Sequence, residues 1–209
     1  MIMENATIVS GVADVLRPFL RSHDKVFLCY AALDCVVTQS VCQAVKQLGG
    51  ETLRWEDDRR WYALLRQAFS QRATVLVGSP RLILGLAKIA RATGTPLSVR
   101  HVVLLGHGED DWLHKGIRDS LDAAIYTCDV TADTPCLENP EDPLMRQLDE
   151  RLLSWSSVLD FSAKQTEQGL SLEILVFPGR QLPKIPSGAN VTVRPWQPKT
   201  DVPFCLCEC

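Results

Sequence analysis

Residues suited to chemistry gather in a few short stretches. In "VLVGSPRLILGLAKIA", residues 75–90, an apolar run ends on Gly78-Ser79-Pro80 and a helix-like pattern follows. The Ser79 hydroxyl can cap that helix, Pro80 suits its first position, and amides at a helix start can receive an anion. Plain capping and a ligand-facing turn both fit these three residues. In "GHGEDD", residues 106–111, Gly106 and Gly108 permit a tight turn close to a ligand. Glu109 can accept hydrogen bonds from a sugar or an amine, and His107 can titrate near neutrality. A solvated loop whose acids precede a helix start fits that stretch equally well. Two further polar stretches are "YAALD", residues 30–34, and "YTCDVTAD", which begins at Tyr126.

Several familiar patterns are missing. There is no Gly-x-x-x-x-Gly-Lys phosphate loop, no Gly-x-Gly-x-x-Gly after a strand and no Gly-x-Ser-x-Gly elbow. His101, His107 and His114 lack the spacing of a helical metal pair, and His101 sits inside an apolar run, where a structural role is expected. The tail "FCLCEC" places Cys205, Cys207 and Cys209 at alternating positions, on one side of an extended strand. Three thiolates suit a soft metal, yet the usual Cys-x-x-Cys pair and a nearby His are absent, so an exposed thiol end is expected and no metal site is assigned.

The elements that must position these residues alternate along the chain. Strand-like runs are "KVFLCY" (25–30), "ETLRW" (51–55), "ATVLVG" (73–78), "SVRHVVLLG" (98–106) and "AAIYTC" (123–128). Between them, helical stripes run through Val37, Val41, Ala44, Val45 and Leu48; through Trp61, Leu64, Leu65, Ala68 and Phe69; and through Leu82, Ile83, Leu86, Ala87 and Ala90. Asp57 and Asp58 precede the second stripe, near the positive helix start, and a short helix fits 110–120. Strands separated by helices of about a dozen residues predict βαβ units and a parallel sheet covered on both faces. In such sheets ligands bind beyond the carboxyl ends of the strands, where all four polar stretches fall. Residues 127–143 are rich in turn formers and acids and read as a linker. Beyond it, a helix in "LMRQLDERLLSW" and strand-like pieces in "SSVLDFSAKQ", "GLSLEILVFPG" and "ANVTVRPW" predict a small β-rich part, expected to be antiparallel. The expected division is an α/β unit over 1–135 and a β-rich unit over 144–209.

Composition sets the outer bounds. The chain has 209 residues, 46% of them hydrophobic, enough for a real core. A formal net charge of −3 argues against a phosphate-backbone binder, so no nucleic acid is expected. No apolar run is long enough to span a bilayer, and the start "MIMENATIVSGVADVLRPF" lacks a basic segment followed by an apolar stretch and a cleavage site. A cytoplasmic protein without a membrane partner is therefore expected. In that setting Cys29, Cys35 and Cys42 read as small buried hydrophobes.

From Lys25 to Asp129 the order of pieces resembles the AMP-forming acyl-CoA synthetase superfamily, most closely its phenylacetate-CoA ligase-like branch. "LGGETLRWEDDRRWYALLRQAFSQRATVLVGSPRLILGLAKIARATGTPLSVRHVVLLGHGE" is similar to the family's helix pair, its strand-turn-helix and its strand ending in Gly-Gly-Glu. Ser79-Pro80 takes the family's turn position, Gly106, Gly108 and Glu109 the Gly-Gly-Glu position, and Tyr126 the Tyr of its Tyr-Gly-x-Thr-Glu motif. The resemblance implies a flavodoxin-like α/β sheet with flanking helices. It implies that Ser79 and Pro80 border an acyl pocket, that Gly106, Gly108 and Glu109 lie near the acyl group and adenine, and that Tyr126 lies near the adenylate.

The departures bear on activity. No Ser/Thr/Gly-rich phosphate loop occurs in the 24 residues before Lys25, and the ribose-holding Asp has no clear counterpart. Lys184 and Lys199 lie in Pro-rich stretches without the glycines of the family's catalytic-lysine motif. Without that electrostatic support the transferred group is not stabilised. The implied protein is a truncated ligase-like chain without full adenylation activity. It would bind a small carboxylate, an acyl group or an adenine nucleotide, or act as a subunit. AMP, ATP or CoA are the candidate cofactors, and a second copy or a partner subunit the candidate protein contact. A structural or oligomerisation module and one half of a split ligase are the alternatives.

Overall fold

The computed structural model describes residues 10–29, 36–53, 60–106, 111–128, 143–182, 184–185, 188–198 and 200–201. The five expected strands form: β1 (Lys25–Cys29), β2 (Glu51–Leu53), β3 (Val75–Gly78), β4 (His101–Leu105) and β5 (Ala124–Cys128). They make one parallel sheet in the order β2-β1-β3-β4-β5. That is the flavodoxin-like order, with helices α1 (Val36–Gln47), α2 (Trp61–Ser70), α3 (Pro80–Thr93) and α4 (Asp111–Arg118) between the strands.

The pleat sorts the strand side chains into two cores. Val26, Leu28, Val75, Val77, Val103 and Leu105 face α1 and the helical residues 10–16, where Val12, Val37, Val41 and Val45 close the layer. Phe27, Leu76, Val102 and Leu104 face the opposite layer, with Trp61, Leu64, Leu82, Ile83 and Leu113. Right-handed crossovers dictate this split. The chain moves one way from β1 to β2 and the other way through β3, β4 and β5, so α1 lies on one face and α2, α3 and α4 on the other.

One helix departs from its predicted stripe. Every residue of α3 from Leu82 to Ala90 is buried, Leu84, Gly85, Lys88 and Ile89 included. A second sheet covers its outer side. After helix α5 (Pro143–Leu148) and a π turn (Asp149–Leu153) come β6 (Val158–Thr166), β7 (Gly169–Val176) and β8 (Asn190–Pro195). Phe161, Leu172, Ile174 and Leu175 of this sheet belong to the same apolar cluster as Leu82, Leu84 and Leu86. The tightest fit is inside that layer: a Cβ on Gly85 would lie 2.1 Å from the Trp61 ring, so the indole sits where only glycine leaves room.

Two other expectations are corrected. β6 and β7 pair antiparallel, but β8 pairs parallel to β7, so the small sheet is mixed. The β6–β7 link is a tight hairpin, whereas the long, Pro-containing stretch after Val176 crosses over before β8 begins. Phe69, expected on the apolar stripe of α2, is 49% exposed. At the helical period it lies roughly 80° round from Trp61, at the margin of the covered face.

The amino ends of three adjacent strands are tied at Asp24. Its buried carboxylate accepts hydrogen bonds from the Arg21 amide (2.8 Å), from the Thr74 hydroxyl (2.9 Å) and from the Arg100 guanidinium. Thr74 Oγ1 in turn accepts from the Lys25 amide at 2.9 Å. One acid thus links the entries to β1, β3 and β4. No helix of the described residues is long and apolar enough to cross a membrane.

Candidate functional site

The strand order reverses between β1 and β3, and there the Gly78-Ser79-Pro80 turn emerges. Cys29 and Gly78 are register partners at the carboxyl ends of these two strands. A Cβ on Gly78 would lie 1.8 Å from the Cys29 carbonyl oxygen. The close approach of the two backbones therefore demands glycine. The Ser79 amide donates to that same carbonyl at 3.0 Å, which fixes where the chain leaves the sheet. Because this amide is already bonded, it is not one of the amides open to an anion.

Pro80 then opens α3 with its fixed φ and no N–H to leave unpaired, and Gly94 at φ 64° closes the helix. Ser79 has the extended backbone of an N-cap, yet its hydroxyl makes no capping hydrogen bond. The half-buried hydroxyl stands at the switch point with its helix-start role unused. Side-chain capping, one of the two readings of this turn, is therefore not what the hydroxyl does here.

Gly106 follows β4 on the neighbouring strand end, at φ 129° and with its amide donating to the Cys128 carbonyl at 3.1 Å. Glycine is suited to that backbone conformation. Register runs Gly78 to Leu104 and Leu105 to Cys128, so Ser79, Pro80 and Gly106 share the carboxyl edge of the sheet. His107, Gly108 and Glu109 lie outside the described residues, as do the "YAALD" loop, Cys35, Asp57, Asp58, Lys199 and the cysteines 205, 207 and 209.

Tyr126 is placed differently. It pairs with Val103 in the middle of β4, and its ring stacks on Phe19 at 4.5 Å. Phe19 also stacks on His101 at 4.2 Å, at the first residue of β4. Tyr126 is thus held in an aromatic group on one sheet face, apart from the Ser79–Gly106 edge. His101 has the structural setting expected of it: burial and the neighbouring Arg100 and Arg21 hold its imidazole below the ordinary value, against the pull of Asp24.

Cys29, at the switch point, is fully buried, and burial pushes its thiol far above the ordinary value, so it is no nucleophile. Among the described residues no group of three His, Cys, Asp or Glu is placed to hold a metal ion.

Residue types alone gave no sign of the polar seam just behind the turn. Arg81, next to Pro80, donates from Nε to Asp160 Oδ1 at 2.8 Å and from Nη2 to the Phe161 carbonyl, and its guanidinium lies 4.5 Å from the Phe161 ring centre. Asp160 is fully buried in β6. Two turns along α3, Lys88 reaches the same segment. A cation inside a covered helix has to find an acceptor, but sequence spacing does not say that the acceptor is about 80 residues away.

No protein-family profile matches the sequence, and no curated protein matches it. Solved structures do. The fold is similar to 2-hydroxyisobutyryl-CoA ligase in the postadenylation state in complex with R3-HIB-AMP, with a TM-score of 0.62 and 10% identity over 95% of this chain and 67% of that one. A benzoate CoA ligase from Burkholderia xenovorans LB400 matches with a TM-score of 0.59 and 9% identity, over 93% of this chain and 63% of that one. An open conformation of 2-hydroxyisobutyryl-CoA ligase with 2-HIB-AMP and CoA matches at a TM-score of 0.50 and 14% identity over 58% of this chain. The chain spans 30% of the length of that last structure. The two sheets together therefore have the fold of a part of these CoA ligases, where the resemblance had reached only the parallel sheet.

Proposed function

We propose that this chain is an acyl-CoA-ligase-like protein that binds a small carboxylate, its acyl form or an adenine nucleotide at the carboxyl edge of the parallel sheet. It does not complete adenylation alone. The observation that carries this reading is the Ser79 hydroxyl, held at the switch point by Gly78 and Pro80 and unused as a helix cap. Ligands of open α/β sheets bind at that place. The fold shared with 2-hydroxyisobutyryl-CoA ligase, a protein whose structures hold 2-HIB-AMP and CoA, supports an acyl-adenylate-shaped ligand.

On this reading Ser79, Pro80 and Gly106 line the ligand edge, and His107, Gly108 and Glu109 continue it. Tyr126 supports the edge from the sheet face rather than touching the ligand. The phenylacetate-CoA ligase-like branch is the closer kin, on "GSPRLILGLAK" and "GHGE". AMP, ATP or CoA is the nucleotide, the working place is the cytoplasm, and a different polypeptide, as partner subunit, supplies the phosphate-binding and lysine-bearing parts. An oligomerisation module is the second reading, favoured by the outer strand β8 with Val193 38% exposed.

The test is a thermal-shift titration with AMP, ATP, CoA and an aryl-adenylate analogue, with and without magnesium. A ligand at 100 times its dissociation constant adds ~2.7 kcal/mol, which raises the melting temperature of a chain this size by roughly 5–10 °C. A shift with AMP or the analogue supports the ligand-binding reading. Unchanged melting with all four leaves the oligomerisation reading.

A further inference from the structure

Lys88 is the most deeply placed cation among the described residues whose role the carboxyl edge does not explain. It lies inside α3, 6% exposed, and its Nζ donates to three backbone carbonyl oxygens: Leu153 at 2.6 Å, Val158 at 2.7 Å and Trp155 at 3.2 Å. An ammonium has three N–H donors and no acceptor, so donors and acceptors match one to one. All three oxygens come from one short segment, the end of the π turn and the entry to β6. Carbonyls at a helix end lack intrahelical donors and carry the negative end of the dipole, so a positive charge is the natural partner.

We propose that the Leu153, Trp155 and Val158 carbonyls form a monovalent-cation site, and that the Lys88 ammonium is its tethered occupant. Oxygens of this kind replace the hydration shell of a bare monovalent cation. The other charges facing the site are Asp160 from β6 and Arg81 from α3 itself, with Asp149 of the π turn 3.9 Å from Arg81. Burial above all, opposed by Asp160 and aided by Arg81, brings the Lys88 amine down to about 7. The contacts to Leu153 and Val158 are as short as charge-assisted bonds. A lysine that merely filled space would send its amine to water. This one is turned inward, and it ties α3 to the segment that starts the second sheet.

The test uses Lys88→Ala and Lys88→Met at pH 6, melted in ammonium, potassium or tetramethylammonium chloride at equal ionic strength. The first two cations fit a carbonyl cage, and the third is too large and cannot donate. Both variants are expected to melt lower than the parent in tetramethylammonium chloride. Lys88→Ala should recover at least half of its loss in ammonium or potassium chloride, while the parent melts alike in all three. A Lys88→Met protein as stable as the parent, or a Lys88→Ala loss identical in every salt, overturns the proposal. Should neither variant fold, the nitrogen-15 resonance of Lys88 Nζ in the parent decides. A slowly exchanging ammonium signal supports the site, and a neutral or rapidly exchanging amine overturns it.

Discussion

The Cα of Gly78 and the carbonyl oxygen of Cys29 are packed so closely that a Cβ on Gly78 would lie 1.8 Å from that oxygen. This contact joins β1 to β3 where the strand order turns back, and it sets the exit of the chain toward Ser79. Replacing Gly78 by Ala must push the two strands apart. A loss of roughly 3 kcal/mol, at the upper end for overpacking, is expected in urea denaturation. A loss under about 0.5 kcal/mol would show that the strands separate freely and do not fix the turn.

Ser79 tests whether capping explains the turn. A serine whose hydroxyl caps a helix costs about 1 kcal/mol when replaced by Ala. The hydroxyl here makes no such bond. Ser79→Ala should therefore change stability by no more than a few tenths of a kcal/mol in the same denaturation experiment, and a full cap-sized loss would contradict the placement of the hydroxyl.

Arg81 and Asp160 hold the second sheet against α3. Arg81 is 12% exposed at the side chain and Asp160 fully buried, so removing either takes from a buried charge its nearest opposite charge. Arg81→Ala and Asp160→Ala are each expected to cost ~3–5 kcal/mol. The double change to Met and Leu should cost far less than the two losses combined, since the unpaired charge disappears with its partner. Additive losses in a double-mutant cycle would mean that the pair is not coupled.

Acid should weaken the protein in two stages. Burial raises the Asp24 carboxyl, but the Arg21 amide, Thr74 and Arg100 together hold it below its ordinary value. Its contribution is complete above the unfolded-state value and is lost as pH falls through the folded-state value. His101 is also held below its ordinary value. The unfolded chain therefore takes up that proton first, and stability is lost as pH falls from the ordinary histidine value toward the folded one. Melting temperature against pH should fall in a histidine window and again in a carboxylate window. His101→Phe should remove the first fall and Asp24→Asn the second. Unchanged profiles in these variants would contradict the assignment.

The periodic part of the fold was legible in the residues. Unalternated runs such as Val75–Val77 and Val102–Leu105 read as strands buried on both faces, and they are. The stripes of α1 and α3 gave the sheet-facing sides, and Gly78-Ser79-Pro80 gave the place where a strand ends and a helix starts. Periodicity reports which side of an element is apolar, not what covers its other side. Hence the full burial of α3, the inward turn of Lys88 and the Arg81–Asp160 pair were not readable, because their partners lie 65 to 80 residues further along the chain. The direction of β8 was hidden for the same reason: a strand pattern carries no sign of which way its neighbour runs. At the site, residue types gave Ser79, Pro80 and Gly106 one shared edge, but whether the serine capped its helix depended on a hydroxyl orientation that only the structure supplies.

The central claim is that the Ser79 edge binds a ligand. It is tested most directly by isothermal titration of the parent and of Ser79→Val with a non-hydrolysable aryl-adenylate analogue. The account predicts saturable one-site binding to the parent and at least a tenfold weaker affinity for Ser79→Val, at matched folded content by circular dichroism. Absence of binding to the parent, or equal affinity in the two proteins, would contradict it.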